Sequence, residues 1–256
     1  MKQIKRYVIF AAAIAALAVP ASAQDRFDNM QYSFGVGTMS VPQPTFTNLV
    51  NMPMDVQDLS NALPWNFGAR AEREWMASDL VGWGYSLGFG IRHTGWHFTV
   101  PAGTPAVGYT GLPHTEDWRV NIGLMGFTGD LGAFVSVHPS RVFEVYGGAG
   151  LAVSRYWEVK STAESGGYVD ESAGGGVVDG LSATLFGAYG LAGVKLTFNE
   201  DYFVSLSARY IYGLSDDGVL DSDITWDGPF YQAHVNAPYN SELLIMLGVG
   251  IMIETN

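Results

Sequence analysis

The stretch that most constrains the fold is the segment from Ser241 to Ile253, reading SELLIMLGVGIMI. Leu243, Ile245, Leu247, Val249, Ile251 and Ile253 share one parity, and Glu242, Leu244, Met246, Gly248, Gly250 and Met252 share the other. Successive side chains of a strand point to opposite faces, so this pattern gives one fully aliphatic face and one mixed face. Length is the second constraint. A tilted strand crossing a bilayer takes roughly 9 to 11 residues, whereas strands of soluble domains average about 5 to 6. This segment is of the longer kind, and others upstream repeat it.

Taken in order, Gln31–Met39 alternates Tyr32, Phe34 and Val36 with Ser33, Gly35 and Gly37, and Trp65–Met76 alternates Trp65, Phe67, Ala69, Ala71 and Trp75 with Asn66, Gly68, Arg70, Glu72 and Glu74. Val81–His93 sets Trp83, Tyr85, Leu87, Phe89 and Ile91 against a run of glycines, Ser86 and Arg92. A fourth strand starts at Trp118, with Val120, Ile122 and Leu124 opposite Arg119, Asn121 and Gly123, and its parity slips near Gly126–Gly132. That slip predicts a β-bulge or kink in one long strand reaching Val137, with a turn at Thr128-Gly129-Asp130 between two shorter strands as the alternative. Further strands are expected over Val142–Lys160, Leu181–Phe198 and Tyr202–Gly213. Short turns at Ala77–Leu80, His138–Arg141 and Asn199–Asp201 alternate with connections of about twenty residues or more, far above the ~4 to 6 usual inside compact domains. An even number of such strands with turns and loops segregated in this way predicts an all-β fold, an eight-stranded antiparallel up-and-down transmembrane β-barrel with short periplasmic turns and long extracellular loops. The last strand must then pair with the first, because a membrane barrel leaves no edge unpaired.

Composition agrees. Charged residues are only 15% of the 256, against about 25% in soluble domains, while glycine reaches 32 and aromatics 13%. At the N-terminus, Lys2, Lys5 and Arg6 precede the twelve apolar residues Val8–Val19 and an Ala21-Ser22-Ala23 site, the signature of an export signal. The expected organisation is a signal peptide over 1–23, cleaved after Ala23, and one barrel domain over 24–256, delivered to the outer membrane. Cleavage removes three of 13 basic residues and none of the 25 acidic ones, leaving a net charge of −15, which argues against nucleic acid as a partner. With no cysteine there is no disulfide and no thiolate metal site.

The signal-like start, the eight alternating segments and stretches such as VYGGAGLAV resemble the small outer-membrane β-barrel superfamily that includes OmpA transmembrane domains and the OmpX-like and Opa-like proteins. The resemblance is one of pattern over the expected mature chain. It implies a monomer whose partners are outer-membrane lipid and lipopolysaccharide, with periplasmic chaperones and the barrel-assembly machinery during biogenesis. Two departures stand out: no peptidoglycan-binding domain is expected after the eighth strand, and the terminal strand carries aliphatic residues where a terminal aromatic is usual.

Assigning the apolar parity to lipid turns Arg70, Arg92, Arg119 and Arg209 inward together with Glu72, Glu74, Glu144 and Glu242, a balanced luminal charge network. Eight strands leave an interior just wide enough for side chains to fill, so these charges are expected to pair as a plug. Trp65, Trp75, Trp83, Trp118, Trp157, Tyr202 and Tyr212 suit interfacial girdles. The first two long connections are apolar, and Phe46, Leu49, Met52, Met54, Trp96, Phe98 and Tyr109 are expected to pack as a cap on the barrel mouth. Beneath such a cap a small hydrophobic ligand could sit, as in barrels similar to OmpW; an extracellular protein docking on the loops is the other option. The Asp221, Asp223 and Asp227 rhythm resembles a Ca²⁺ loop but lacks its turn glycine and final Glu. His138 and Ser140 have His-x-Ser spacing without an orienting acid. No catalytic residue, cofactor or metal ligand set follows from the sequence. The expected function is an envelope-structural or adhesin-like surface role, with a narrow channel for small or hydrophobic solutes second and a lipid A-modifying enzyme third.

Overall fold

The computed structural model describes residues 28–40, 42–50, 57–61, 64–102, 117–165, 168–171, 182–198, 201–214, 219–226, 231–238 and 241–255. Over these the chain is all β. The strands are β1 (Asp28–Ser40), β2 (Thr45–Val50), β3 (Gln57–Asn61), β4 (Trp65–Met76), β5 (Val81–Val100), β6 (Trp118–Ser140), β7 (Phe143–Ser165), β8 (Tyr168–Glu171), β9 (Ser182–Phe198), β10 (Tyr202–Gly213), β11 (Val219–Trp226), β12 (Tyr231–Pro238) and β13 (Ser241–Thr255). Eight of them form an antiparallel ring in the order β1, β4, β5, β6, β7, β9, β10, β13. The closing contact runs from Asp28↔Thr255 to Ser40↔Leu243, so β1 is paired along its whole length with the aliphatic C-terminal strand. Closure satisfies the backbone groups that an open edge would leave bare in hydrocarbon.

The outward parity of the ring forms an exposed apolar belt, with Phe34, Phe67, Leu87, Phe89, Leu131, Val135, Leu206, Leu247 and Val249 each more than half or nearly half exposed. Aromatic pairs flank it: Trp75 and Trp83 lie 4.7 Å apart near the short turns, and Phe127 and Trp157 lie 4.8 Å apart towards the other end. Inward glycines hold the strands close. A Cβ at Gly250 would strike the Phe203 ring and the Tyr32 carbonyl, and one at Gly248 would come within 2.7 Å of Ser205 Oγ.

Above the belt the ring continues on three strands, and its polarity reverses. β5 runs on to Val100, well past His93, and pairs with β6 as far as Trp118. Here the inward residues are Trp96, Phe98, Trp118, Val120, Ile122 and Leu124, all buried, while His97, Arg119 and Asn121 face out. The expected bulge at Gly126–Gly132 does not occur. β6 is a single strand whose inward and outward positions alternate without slip from Trp118 to Val137. The sequence parity slips because the apolar face changes sides, as it must when water replaces lipid outside. The irregularity that does occur lies between Gly123 and Leu124 of β6, opposite Lys160 and Glu158 of β7, where the inward parity of β7 shifts from Tyr156 to Ser161.

The same reversal corrects three expectations. Trp118 is buried inside rather than set in an interfacial girdle, Arg119 points out to solvent rather than into the lumen, and Trp96 and Phe98 belong to a strand rather than a loop. Of the other expected cap residues, Phe46 and Leu49 lie on β2, whose side chains from Phe46 onward are not described, and Met52, Met54 and Tyr109 fall outside the described residues. β2 joins β12 and β11 in a small separate sheet, so Asp221 and Asp223 sit on a strand paired to Asn236 and His234 rather than in a loop, and Asp227 falls outside the described residues.

Candidate functional site

Inward positions of the lower ring are mostly small or polar, interspersed with the rings of Phe134, Tyr146, Tyr189 and Phe203, and long charged side chains reach across the lumen between them. Nearest the long connections, Arg92 of β5 is fully buried and pairs with Glu242 of β13. Arg92 Nη1 also donates to Tyr156 Oη (3.0 Å) and Ser154 Oγ (3.2 Å), and the Tyr156 hydroxyl donates to Glu242. Below this, Asp130 of β6 receives Arg209 on one oxygen and Arg70 Nη2 on the other at 3.2 Å. Gly88 makes room for that carboxylate, since a Cβ there would lie 2.7 Å from Asp130 Cγ. Arg209 also stands 5.5 Å over the Tyr189 ring.

Arg70 Nη1 approaches Glu72 Oε1 at 3.5 Å, and Glu72 links this layer to the next by accepting from Lys195 Nζ at 2.7 Å. Lys195 of β9 is the hub of that layer. Its ammonium donates as well to Glu144 Oε1 (3.1 Å) and Gln31 Oε1 (2.8 Å), and lies 4.6 Å from the Tyr146 ring centre. At the short-turn end, Glu74 accepts from Gln31 Nε2 (3.0 Å) and from Ser136, and meets His138 Nε2 at 2.9 Å. Buried ions are tolerated at this density because nearly every carboxylate receives two or more donors; an unpaired one would cost several kcal/mol. A cavity of about 50 Å³ lies among Arg70, Glu72, Asp130, Tyr146, Lys195 and Arg209, room for a few waters.

Of the eight charged residues expected in the lumen, the structure brings seven inside: Arg70, Glu72, Glu74, Arg92, Glu144, Arg209 and Glu242. Arg119 is outside, and two central residues, Lys195 and Asp130, are absent from the expected set. The residues flanking each carry the signal for both. In GVKLTF the outward residues Val194, Leu196 and Phe198 place Lys195 inside, and Phe127, Leu131 and Val135 do the same for Asp130, which the alternative turn at Thr128-Gly129-Asp130 obscures.

His138 and Ser140, which have His-x-Ser spacing, are not brought together. His138 turns inward to Glu74 and Ser136, while Ser140 is exposed. Ser136 Oγ and the Glu74 carboxylate both contact the same nitrogen of the imidazole, Nε2, at 3.2 and 2.9 Å. A serine–histidine–acid relay needs the acid and the nucleophile on opposite ring nitrogens, so this trio is a hydrogen-bond cluster without that arrangement.

Solved outer-membrane proteins resemble this chain to different degrees. OprG of Pseudomonas aeruginosa is 12% identical over 91% of this chain and 99% of its own, with a TM-score of 0.53, which establishes a common fold. Ail, the attachment invasion locus protein of Yersinia pestis, solved with the heparin analogue sucrose octasulfate, is 12% identical over 89% of this chain and 100% of its own, at a TM-score of 0.44. The outer membrane protease OmpT of Escherichia coli is 10% identical over 90% and 99%, at 0.42. These two superpose too loosely to inform on function. No curated protein matches by sequence. The family model described as outer membrane protein beta-barrel domain matches residues 9–240, most of the chain, and the protein is therefore a member of that outer-membrane β-barrel family.

Proposed function

We propose that this protein is a non-enzymatic, non-conducting outer-membrane barrel that serves the envelope as a structural or surface-interaction element through its extracellular end. In barrels of this kind the short turns face the periplasm and the long connections the exterior, which puts the reversed-polarity extension of β5, β6 and β7 outside the cell. The observation carrying the reading is the obstructed interior: ion-paired layers from Arg92–Glu242 down to Glu74, with a core of Trp96, Phe98, Trp118 and Ile122 above them. An eight-stranded ring is narrow enough for side chains to fill it. Reconstituted into planar bilayers, the protein is expected to show no steady porin-like conductance, and a steady conductance would overturn the reading.

One feature favours a second reading, a route for small hydrophobic solutes. The upper interior is lined by aromatic and aliphatic side chains, and β12 contributes Val235 to the same buried cluster. Uptake of an apolar fluorescent probe into protein-loaded liposomes, above that of protein-free liposomes, would shift the balance to that reading. The expected partners remain outer-membrane lipid and lipopolysaccharide, with an extracellular protein or a small hydrophobic ligand as candidates at the loops. A lipid A-modifying activity finds no relay in the geometry described above; an unchanged lipid A mass spectrum on expression is the expected result.

A further inference from the structure

We infer that Glu74, His138 and Glu144 form a binding site for a transition-metal dication of the zinc class at the periplasmic mouth of the lumen. One ligand atom from each residue lies within 4.8 Å of the other two, and His138 Nε2 and Glu74 Oε1 are 2.9 Å apart. Ligands held at ~2.0–2.1 Å from a tetrahedral zinc ion stand about 3.3 Å from one another, so side-chain movements on the order of 1 Å close the three around an ion. One imidazole nitrogen with two carboxylate oxygens suits zinc; calcium and magnesium favour all-oxygen shells. Ser136 Oγ, 3.2 Å from His138 Nε2, or a water completes the coordination.

The charge balance of the lumen is a separate reason to place a cation here. Counted with His138 as the neutral imidazole that a metal ligand must be, the described residues of the network set Arg70, Arg92, Lys195 and Arg209 against five carboxylates, Glu72, Glu74, Asp130, Glu144 and Glu242, which leaves one negative charge for a cation to balance. The excess falls at this end. Glu74 has Gln31, Ser136 and His138 as partners but no Lys or Arg, and Glu144 shares its single ammonium, Lys195, with Glu72. Lys195 keeps Glu72 and Gln31 when Glu144 turns to an ion.

The surroundings are formed for a small occupant. Gly82 stands against the Glu74 carboxylate and Ser136 Oγ, where any Cβ would collide with both. The carboxylates are buried, with side chains 1% and 4% exposed, while the His138 side chain at 22% gives the site an opening to the periplasm. Its backbone N–H donates to the Leu80 carbonyl at 2.8 Å, which fixes the histidine against the neighbouring turn.

The test uses the untagged, folded full chain in detergent, stripped with a chelator and titrated with zinc chloride by calorimetry. One ion per chain is expected, with no comparable heat from magnesium and with His138→Ala and Glu144→Gln each weakening zinc affinity at least tenfold. Absence of one-to-one zinc binding, or unchanged affinity in both variants, would overturn the assignment. Circular dichroism reports whether the variants fold. Should either fail to fold, X-ray absorption on the zinc-loaded natural chain decides: a nitrogen ligand at zinc supports the site, and an all-oxygen shell refutes it.

Discussion

The lower and upper halves of this barrel are built on opposite patterns from the same strands. Along β6, Leu131, Val135 and Val137 face out and Asp130 and Ser136 face in, yet a few residues earlier Arg119 and Asn121 face out and Val120, Ile122 and Leu124 face in. The backbone alternation never changes; what changes is the solvent outside. Where lipid surrounds the ring, polar groups withdraw to the lumen and pair there. Where water surrounds it, the ring behaves as a soluble β-structure with an apolar centre. An inversion of polarity along an unbroken strand therefore marks where the barrel leaves the membrane.

The comparison can be broken from either side. Arg92→Ala strands Glu242 without its guanidinium and is expected to destabilise the barrel by about 3–5 kcal/mol, read from urea unfolding in lipid vesicles. Adding Glu242→Gln should restore part of that loss, because the two changes remove one interaction. Trp96→Ala tests the upper half, where a cavity replaces a buried aromatic; a loss of about 3–5 kcal/mol is expected by the same assay. A loss below about 1 kcal/mol would show that the upper interior is not a packed core.

A matched pair on β6 sharpens the boundary. Leu131→Arg sets a charge against hydrocarbon and should cost roughly 2–4 kcal/mol, whereas Asn121→Arg, ten residues away on the same parity, should stay within about 0.5 kcal/mol. Equal costs would place both positions in the same solvent. The smallest perturbation is a single cysteine: on intact cells an impermeant thiol reagent should label Asn121→Cys and leave Ser140→Cys, exposed at the short-turn end, unmodified. The reverse would invert the proposed orientation.

Much of the frame is legible in the chain. The bounds of β4 follow directly from its alternation, the pairing of β13 with β1 from the need to close the ring, and the inward set Arg70, Glu72, Arg92 and Glu242 from the parity of their apolar neighbours. Departures gather where the outer solvent changes. The lipid rule, applied to a segment that stands in water, sends Arg119 to the lumen and Trp118 to a girdle. Asp130 is hidden by Gly129, which reads as a turn signal beside Thr128 but lies on a continuous strand. The extent of β5 beyond His93 escapes the pattern for a related reason, since Gly95, at φ 153°, and two histidines resemble a loop.

Local sequence determined the number, order and direction of the membrane strands and the face each presents to lipid, because side-chain alternation depends only on neighbours along the chain. The tertiary structure alone decided which inward charges meet. Arg92 reaches a carboxylate 150 residues away and Lys195 one 123 residues away. Those partners are fixed by the stagger of eight strands around the ring, a property of the closed barrel that no single strand carries. The same closure decided where water takes the place of lipid, and it brought Glu74, His138 and Glu144, from three different strands, to one mouth of the lumen.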